Sequence, residues 1–513
     1  MIAITSGIAL RSHTGLEYDS VTYLDLAANV VAGKGLVHRW AYWDPIYEAA
    51  RLPTATTMWP PGLSLAIAGL HALGMSPSLA GRITGVLAFA AFAVALYGMA
   101  RLIVRPAQGF VAVLVALIPE LPWLPRIASE LPYLAAATIA SLCAAKAVLG
   151  DRHREIAWWI CASAAAGAAF AFRYVGLAIA FQICLVAFLF GRGQGWRRNI
   201  RRAALAGSVS GVVIASVLLR NWMISGTFGQ PWPGADIFWS TLLPSVRAAV
   251  AIELGGREVW GSLALVAVPA QVLALGLLAL VSIRGLRSAG NEAANARAVT
   301  GSTIMILMLA CTYAVTIAAT AANGMDLEDR YLLTPVPWAI LLLTAWCVRS
   351  AAAAQRPLLA PASIALGVFL TFQGLLTLKV LASPQDSYVQ AAGSSDVVAW
   401  LRQHVPPDEM LLSNRGAELA YWLPNPVMRL PRLPHASGGA TNWEDVDDLA
   451  QKAGARYLVH FRNYPEYAKY HQQEFDFLRT LDHSSAFMER EPQTFIEATV
   501  YRVDLRARSA GPP

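Results

Sequence analysis

The chain has 513 residues, of which 56% are hydrophobic and only 14% are charged. Soluble proteins carry about 25% charged residues, so this composition indicates a protein of the lipid bilayer and excludes an ordinary soluble enzyme. The formal net charge is +7, but no basic run is interleaved with aromatic residues as single-strand nucleic-acid binding would require. A nucleic-acid partner is therefore not expected, and the positive charge is better interpreted as a topology signal.

The N-terminal region predicts a short apolar stretch and then a large external loop. Met1–Leu10 is shorter than a membrane span, so the first helix is expected to be incomplete or to begin further upstream. Residues 11–81 form the predicted loop, and the apolar spacing within Tyr18–Leu36 favours an interfacial helix there. Pro61–Leu73 is apolar but, at about 13 residues, too short to cross, so we predict a juxtamembrane helix.

Apolar segments then recur through the middle of the chain. A helix needs about 20 residues to cross roughly 30 Å of hydrocarbon. Including the N-terminal stretch, about 11 transmembrane helices are predicted, the later ten near residues 83–102, 107–121, 129–149, 156–171, 174–191, 203–221, 259–283, 299–321, 331–348 and 357–382. Together they predict an α-helical polytopic transmembrane domain over residues 1–382.

Charge orients these helices. Arginines cluster in every second connection, near residues 101–105, 152–154, 192–202, 284–297 and 349–356. Because Lys and Arg concentrate in cytoplasmic connections, the other connections and the C-terminal region are predicted to be extracytoplasmic. The expected location is the inner (plasma) membrane.

From about Ser383 the sequence becomes polar and Pro-rich. Residues 395–404 predict an amphipathic helix, and strands are predicted at Glu409–Ser413, Ala455–Phe461 and Thr499–Asp504. Residues 383–513 are thus expected to form a small α/β extracytoplasmic domain.

Metal and hydrolase chemistry find little support in the sequence. The five cysteines lie inside apolar segments, where a thiol usually serves as a small hydrophobic group. No HExxH, GxSxG, P-loop or paired CxxC pattern is present. Carboxylates of the first loop could bind a divalent cation, but they are not spaced in a diagnostic way. We therefore expect that no cofactor is required.

Four polar positions of the external connections are candidates for function. They are Asp19, Glu130 at a helix end, Arg173 in the tight connection Phe172–Gly176, and Arg330 at a helix start. Ionisable groups at a membrane boundary are costly, which favours a functional role. Structural alternatives stay open: Asp19 could be an N-cap, Glu130 could be solvated, Arg173 could bind a lipid phosphate, pair with Glu130 or snorkel, and Arg330 could pair with Asp326 or Asp329.

In sequence order, these motifs resemble the GT-C superfamily of integral-membrane glycosyltransferases, especially the group of protein O-mannosyltransferases, lipid A aminoarabinose transferase and RgtA/B/C/D-type enzymes. The resemblance covers roughly residues 15–350. It rests on Tyr18-Asp19-Ser20-Val21-Thr22-Tyr23-Leu24, Trp59-Pro60-Pro61-Gly62, Ser129-Glu130-Leu131-Pro132-Tyr133, Arg173-Tyr174-Val175-Gly176 and Arg330-Tyr331-Leu332.

The resemblance implies inverting transfer of a sugar from a polyprenyl-phosphate donor to a lipid, glycan or protein acceptor on the extracytoplasmic face. Asp19 would be the general base and Glu130 would orient acceptor or sugar. The residues that would bind the donor phosphate or substrate are Arg330, Arg173, Lys34, Tyr331, Tyr174 and Tyr23. The alternative is a transporter or flippase of a lipid-linked glycan. Transporters usually place ionisable residues at the bilayer midplane, whereas these candidates map to one face, which favours the transferase.

Overall fold

A computed structural model of the full chain describes residues 16, 18–42, 52–55, 57, 59–124, 126–150, 152–190, 195–225, 228, 292–322, 336–352, 367, 395–429, 450–451, 453–461, 488–490, 495 and 498–503. The chain divides into two compact units. The first includes the described residues within 57–66 and 81–384, and the second those within 13–56, 67–80 and 385–513.

Helices dominate the N-terminal three quarters of the described chain. They are α1 (Tyr18–Val31), α2 (Gly62–His71), α3 (Pro77–Ile103), α4 (Pro106–Ala116), α5 (Glu130–Leu149), α6 (Glu155–Phe172), α7 (Leu177–Leu189), α8 (Trp196–Ser225), α9 (Glu292–Ala322) and α10 (Val336–Ala352). Short 3-10 helices lie at Ile118–Trp123, Arg152–Arg154 and Tyr174–Gly176. Five of the described helices are long and apolar enough to cross a membrane, namely α3, α5, α6, α8 and α9.

The core of the first unit is built around α5, whose sequence is rich in alanine and whose residues are mostly buried. Small side chains let helices approach closely, and polar side chains then join them. Trp338 of α10 donates from Nε1 to Thr138 Oγ1 of α5 at 2.9 Å. Ser163 of α6 and Ser210 of α8 join their helices in the same way, at 2.9 Å between Ser210 N and Ser163 Oγ.

The second unit is mixed α/β. Its remaining elements are β1 (Val37–His38), β2 (Trp40–Tyr42), β3 (Thr54–Ala55), α11 (Asp396–His404), β4 (Leu411–Ser413), α12 (Gly416–Trp422), β5 (Val427–Arg429), β6 (Tyr457–Phe461), β7 (Met488–Arg490) and β8 (Ala498–Val503). Six strands form one sheet in the order β2-β5-β4-β6-β8-β7. The first four run parallel, and β8 joins β6 and β7 in antiparallel fashion.

An ion pair attaches α1 to this sheet domain. Arg39 Nε lies 2.8 Å from Asp25 Oδ1, and the Arg39 main-chain N–H donates to Asp25 Oδ2 at 2.9 Å. The other two guanidinium nitrogens donate to the carbonyls of Ala420 and Leu423, at 2.8 and 3.2 Å. These carbonyls lie at the end of α12, where the last turn of a helix lacks intrahelical partners. Arg39 therefore satisfies Asp25 and the helix end together.

Most predicted elements within the described residues are confirmed, with boundaries shifted by a few residues. The predicted spans at 259–283 and 357–382 lie outside the helices that the structure describes. Within the predicted external loop of residues 11–81, the strand β2 pairs with β5 in the sheet of the C-terminal residues, a pairing that the sequence did not predict. A three-residue strand carries no periodic signal, and its partner is remote in sequence. The boundary near residue 382 stays a prediction.

Candidate functional site

A buried ion pair joins two helix ends in the first unit. Glu130 is the first residue of α5, and Arg173 follows the last residue of α6. Arg173 Nη1 donates to Glu130 Oε1, although the two residues are 43 positions apart in sequence. The side chain of Arg173 is only 13% exposed and that of Glu130 only 7%. Of the alternatives open for Arg173, pairing with Glu130 is the contact that the structure shows.

Two glycines make the backbone compact around Arg173. A Cβ on Gly176 would lie 2.3 Å from the main-chain nitrogen of Phe170, and one on Gly62 would lie 2.6 Å from the carbonyl oxygen of Ala171. Both separations are far below contact distance, so neither position accepts a side chain without a backbone shift. Gly62 of the motif Trp59-Pro60-Pro61-Gly62 is therefore packed against the end of α6 directly before Arg173, and Gly176 against the last turn of that same helix.

The hydroxyl of Tyr174 connects three segments beside this pair. It donates to the main-chain carbonyl of Thr57 at 2.7 Å and accepts from Nδ2 of Asn221 at 2.9 Å. Asn221 is fully buried near the end of α8, and its Nδ2 also donates to the carbonyl of Phe228 at 3.1 Å. These hydrogen bonds hold Tyr174 in place, and they thereby restrict the backbone position of the neighbouring Arg173.

A second carboxyl group lies near Glu130. Glu120, in the 3-10 helix Ile118–Trp123, is 1% exposed, and its Oε1 has no hydrogen-bond partner in the described part of the chain. Burial and, to a lesser degree, the negative charge of Glu130 together raise the pKa of Glu120 to about 8. Glu120 is thus a neutral acid at neutral pH. Near the ion pair of Glu130 and Arg173 there is thus a second buried carboxyl group with a raised pKa, and strongly perturbed buried acids are found more often at functional sites than in a merely stable core.

The other predicted residues fall in different places. Asp19 lies in the first turn of α1, half-buried, where a carboxylate is favoured by the helix dipole. Tyr23 is buried on the same helix, and Lys34 is exposed just after it, so all three belong to the second unit. Arg330 and Tyr331 lie outside the described residues.

No group of three or more His, Cys, Asp or Glu side chains that could hold a metal ion occurs among the described residues. The expectation that no metal is required stays a prediction.

The chain is similar in structure to several membrane glycosyltransferases. ArnT from Cupriavidus metallidurans bound to undecaprenyl phosphate matches with a TM-score of 0.56 and 14% identity over 100% of this chain and 98% of that one. The Archaeoglobus fulgidus oligosaccharyltransferase in complex with zinc and sulfate matches with a TM-score of 0.54 and 13% identity over 98% of this chain and 73% of that one. The oligosaccharyltransferase AglB from Archaeoglobus fulgidus, in complex with an inhibitory peptide and a dolichol-phosphate, matches with a TM-score of 0.50 and 13% identity over 97% of this chain and 73% of that one. The chain has the GT-C fold.

Sequence comparison agrees with this fold. Residues 59–220 match the model of the dolichyl-phosphate-mannose-protein mannosyltransferase family, and no curated protein matches the chain in sequence. The resemblance to GT-C glycosyltransferases predicted above is confirmed. The matched segment contains Glu130, Arg173 and Tyr174, whereas Asp19 and Arg330 lie outside it.

Sequence reasoning gave too little weight to three groups of polar residues that the structure shows to be buried or paired. Glu120 has no motif of its own; its apolar neighbours were the only available signal. Asn221 belongs to no recognisable motif, and its contact with Tyr174 spans 47 positions. Asp25 and Arg39 were visible as loop charges, but their pairing depends on how α1 packs against the end of α12.

Proposed function

We propose that this protein transfers a sugar from a polyprenyl-phosphate-linked donor to an acceptor on the extracytoplasmic face of the inner membrane. The observation that carries the proposal is the buried set of Glu130, Arg173 and Glu120 at helix ends of a GT-C fold. The names of the similar proteins support the donor class, since two of those structures hold undecaprenyl phosphate and dolichol-phosphate. The acceptor would be a lipid, a glycan or a protein.

The proposed reaction is a single displacement. The acceptor oxygen forms a bond to the anomeric carbon while the bond from that carbon to the phosphate oxygen breaks, so the configuration inverts. Asp19 accepts the proton of the acceptor hydroxyl, which requires it to lie within hydrogen-bond reach of that oxygen. The products are the glycosylated acceptor and polyprenyl phosphate, which leaves with the bonding electron pair.

Charge on the leaving phosphate increases as its bond to the sugar breaks. Guanidinium groups are suited to stabilising this charge because their planar fork matches two phosphate oxygens. We assign this role to Arg330 and Arg173, with Lys34 assisting, and substrate contacts to Tyr23, Tyr174 and Tyr331. Glu130 would keep Arg173 oriented and contact the sugar or acceptor. Because the donor carries one phosphate, this chemistry needs no metal, although a divalent cation could still bind.

The transferase can be tested with purified protein in lipid nanodiscs supplied with a panel of undecaprenyl-phosphate monosaccharides and a membrane lipid extract as the acceptor source. Chromatography should detect formation of undecaprenyl phosphate with one of the donors. The alternative, a flippase of lipid-linked glycans, would move the donor intact across proteoliposomes and form no undecaprenyl phosphate. Movement without cleavage would therefore overturn the proposal.

The phosphate role of Arg330 has its own test. Arg330→Ala should weaken the protection of the protein by undecaprenyl phosphate against thermal denaturation, and raise the KM for the donor far more than that for the acceptor. An equal rise in both values would count against the assignment.

A further inference from the structure

Three arginines form an exposed basic face at the start of α8. Arg197, Arg198 and Arg201 line a concavity of about 470 Å³ together with Gly195 and Trp196. All five residues are exposed, and the Trp196 ring is 64% exposed. The spacing of the arginines places them on adjacent positions of one helical surface. We call these three residues the arginine face.

The fold does not use the arginine face. Among the described residues, none of its members forms an ion pair or a side-chain hydrogen bond. The next arginine on the helix is different: Arg202 is buried and its Nε lies 2.7 Å from Glu155 Oε1 of α6. One arginine of the segment thus anchors α8 to α6, and the other three keep their donors directed to the surroundings.

The length of α8 places this face at the level of lipid headgroups. Its 30 residues extend about 45 Å, whereas the hydrocarbon core is about 30 Å thick. The apolar part of α8 begins after Arg202, so the first two turns extend beyond the hydrocarbon. Trp196 is the residue type enriched at that interface, and the exposed Ile200 lies among the arginines.

We propose that the arginine face is a binding site for the headgroup phosphates of an anionic bilayer phospholipid. Basic pockets beside membrane helices bind such headgroups, and each guanidinium can donate two parallel hydrogen bonds to a phosphate. A lipid with two phosphates, such as cardiolipin, matches three adjacent arginines best. The indole of Trp196 would lie against the glycerol and upper acyl region.

The site has a structural consequence for the rest of α8. Asn221, which supports Tyr174, lies 20 residues after Arg201 on the same helix, or about 30 Å along its axis. A headgroup bound at the arginine face would fix the depth of α8 in the bilayer and thereby the level of Asn221. This inference does not depend on the identity of the sugar donor.

The test compares two triple variants of equal charge in nanodiscs that contain phosphatidylcholine and 20% cardiolipin. The first replaces the arginine face (R197Q, R198Q and R201Q); the control replaces three exposed arginines of other connections (R101Q, R105Q and R154Q). Native mass spectrometry then counts the cardiolipin retained by each protein. Each arginine near an anionic surface contributes about fivefold, so the first variant should lose at least tenfold in retention, and the control less than about twofold.

Equal retention by the two triple variants would overturn the proposal, because net charge alone would then explain lipid binding. Displacement of cardiolipin by an equimolar amount of undecaprenyl phosphate would also overturn it, since the site would then belong to the donor. Glycerol 2-phosphate should neither bind to the arginine face nor displace cardiolipin from it. If the triple variant fails to fold in phosphatidylcholine alone, the single variants Arg198→Gln and Arg201→Gln replace it in the test. Each is expected to retain about fivefold less cardiolipin than the wild type.

Discussion

Two ion pairs of this protein, one in each unit, lie in different chemical settings. Asp25 and Arg39, in the second unit, form a balanced pair whose remaining donors go to the main-chain carbonyls that end α12. Glu130 and Arg173, in the first unit, share their surroundings with a second buried acid, Glu120. A balanced pair with fixed backbone partners stabilises a fold. An excess of buried acid costs stability and is retained where chemistry needs it.

The largest expected effect is the loss of transfer activity on substitution of Asp19, which should not occur on substitution of Asp25 in the same helix. Asp19→Asn should lower sugar transfer by about a hundredfold or more, because the proposed base is lost, while the melting temperature stays close to that of the wild type. Asp25→Asn is the matched control on α1, and it should lower the melting temperature while the remaining folded protein stays active. Transfer near the wild-type rate by folded Asp19→Asn protein would refute the assignment of the base.

Substitution of Arg39 should lower stability, whereas substitution of Arg173 should lower activity. Arg39→Ala leaves Asp25 buried without its partner, which we expect to cost on the order of 3 kcal/mol of folding free energy and little activity per folded molecule. Arg173→Ala should instead lower kcat strongly. Arg173→Lys should restore stability better than activity, because an ammonium group cannot reproduce the planar fork. Thermal denaturation and transfer kinetics of the three variants measure this, and recovery of full activity by the lysine variant would contradict it.

Glu120→Gln tests the second buried carboxyl group through the pH dependence of stability. The pKa of Glu120 is raised from 4.5 to about 8 in the folded protein, so only the unfolded chain loses the proton between these values. The contribution of protonated Glu120 to the folding stability is therefore fully present below about pH 4.5 and is lost as the pH rises through about 8.

The glutamine variant should match the wild type near pH 5 and exceed it above pH 8, by on the order of a few kcal/mol at most. Melting temperatures across this range provide the measurement. A difference between the two proteins that does not change with pH would show that Glu120 does not titrate in this way.

The smallest effect concerns the support of Arg173. Tyr174→Phe removes the hydrogen bonds to Thr57 and from Asn221, and should cost about 1–2 kcal/mol of stability with a modest loss of transfer. Asn221→Ala in the same background should add less than it does alone, because both residues belong to one network. Additive losses in the double variant would show that the two side chains act independently.

The sequence by itself determined the helical elements and indicated the resemblance to GT-C glycosyltransferases. Runs of about 20 apolar residues form helices in a bilayer because every backbone polar group must be satisfied within the segment, so α3, α5, α6 and α9 follow from composition. The sequence similarly predicted the strands β6 and β8. Ordered motifs around Asp19, Glu130 and Arg173 were enough to identify the GT-C resemblance.

Only the tertiary structure decided which polar groups meet. The pairing of Glu130 with Arg173 depends on the corner between α6 and α7, where Gly176 allows the chain to lie against the end of α6 and Gly62 allows α2 to approach it closely. The entry of β2 into the parallel sheet requires partners from the far end of the chain. The burial of Glu120, and hence its neutral state, follows from the helices that pack around it. Local sequence specifies backbone hydrogen bonding, whereas burial and charge contacts depend on packing between remote segments.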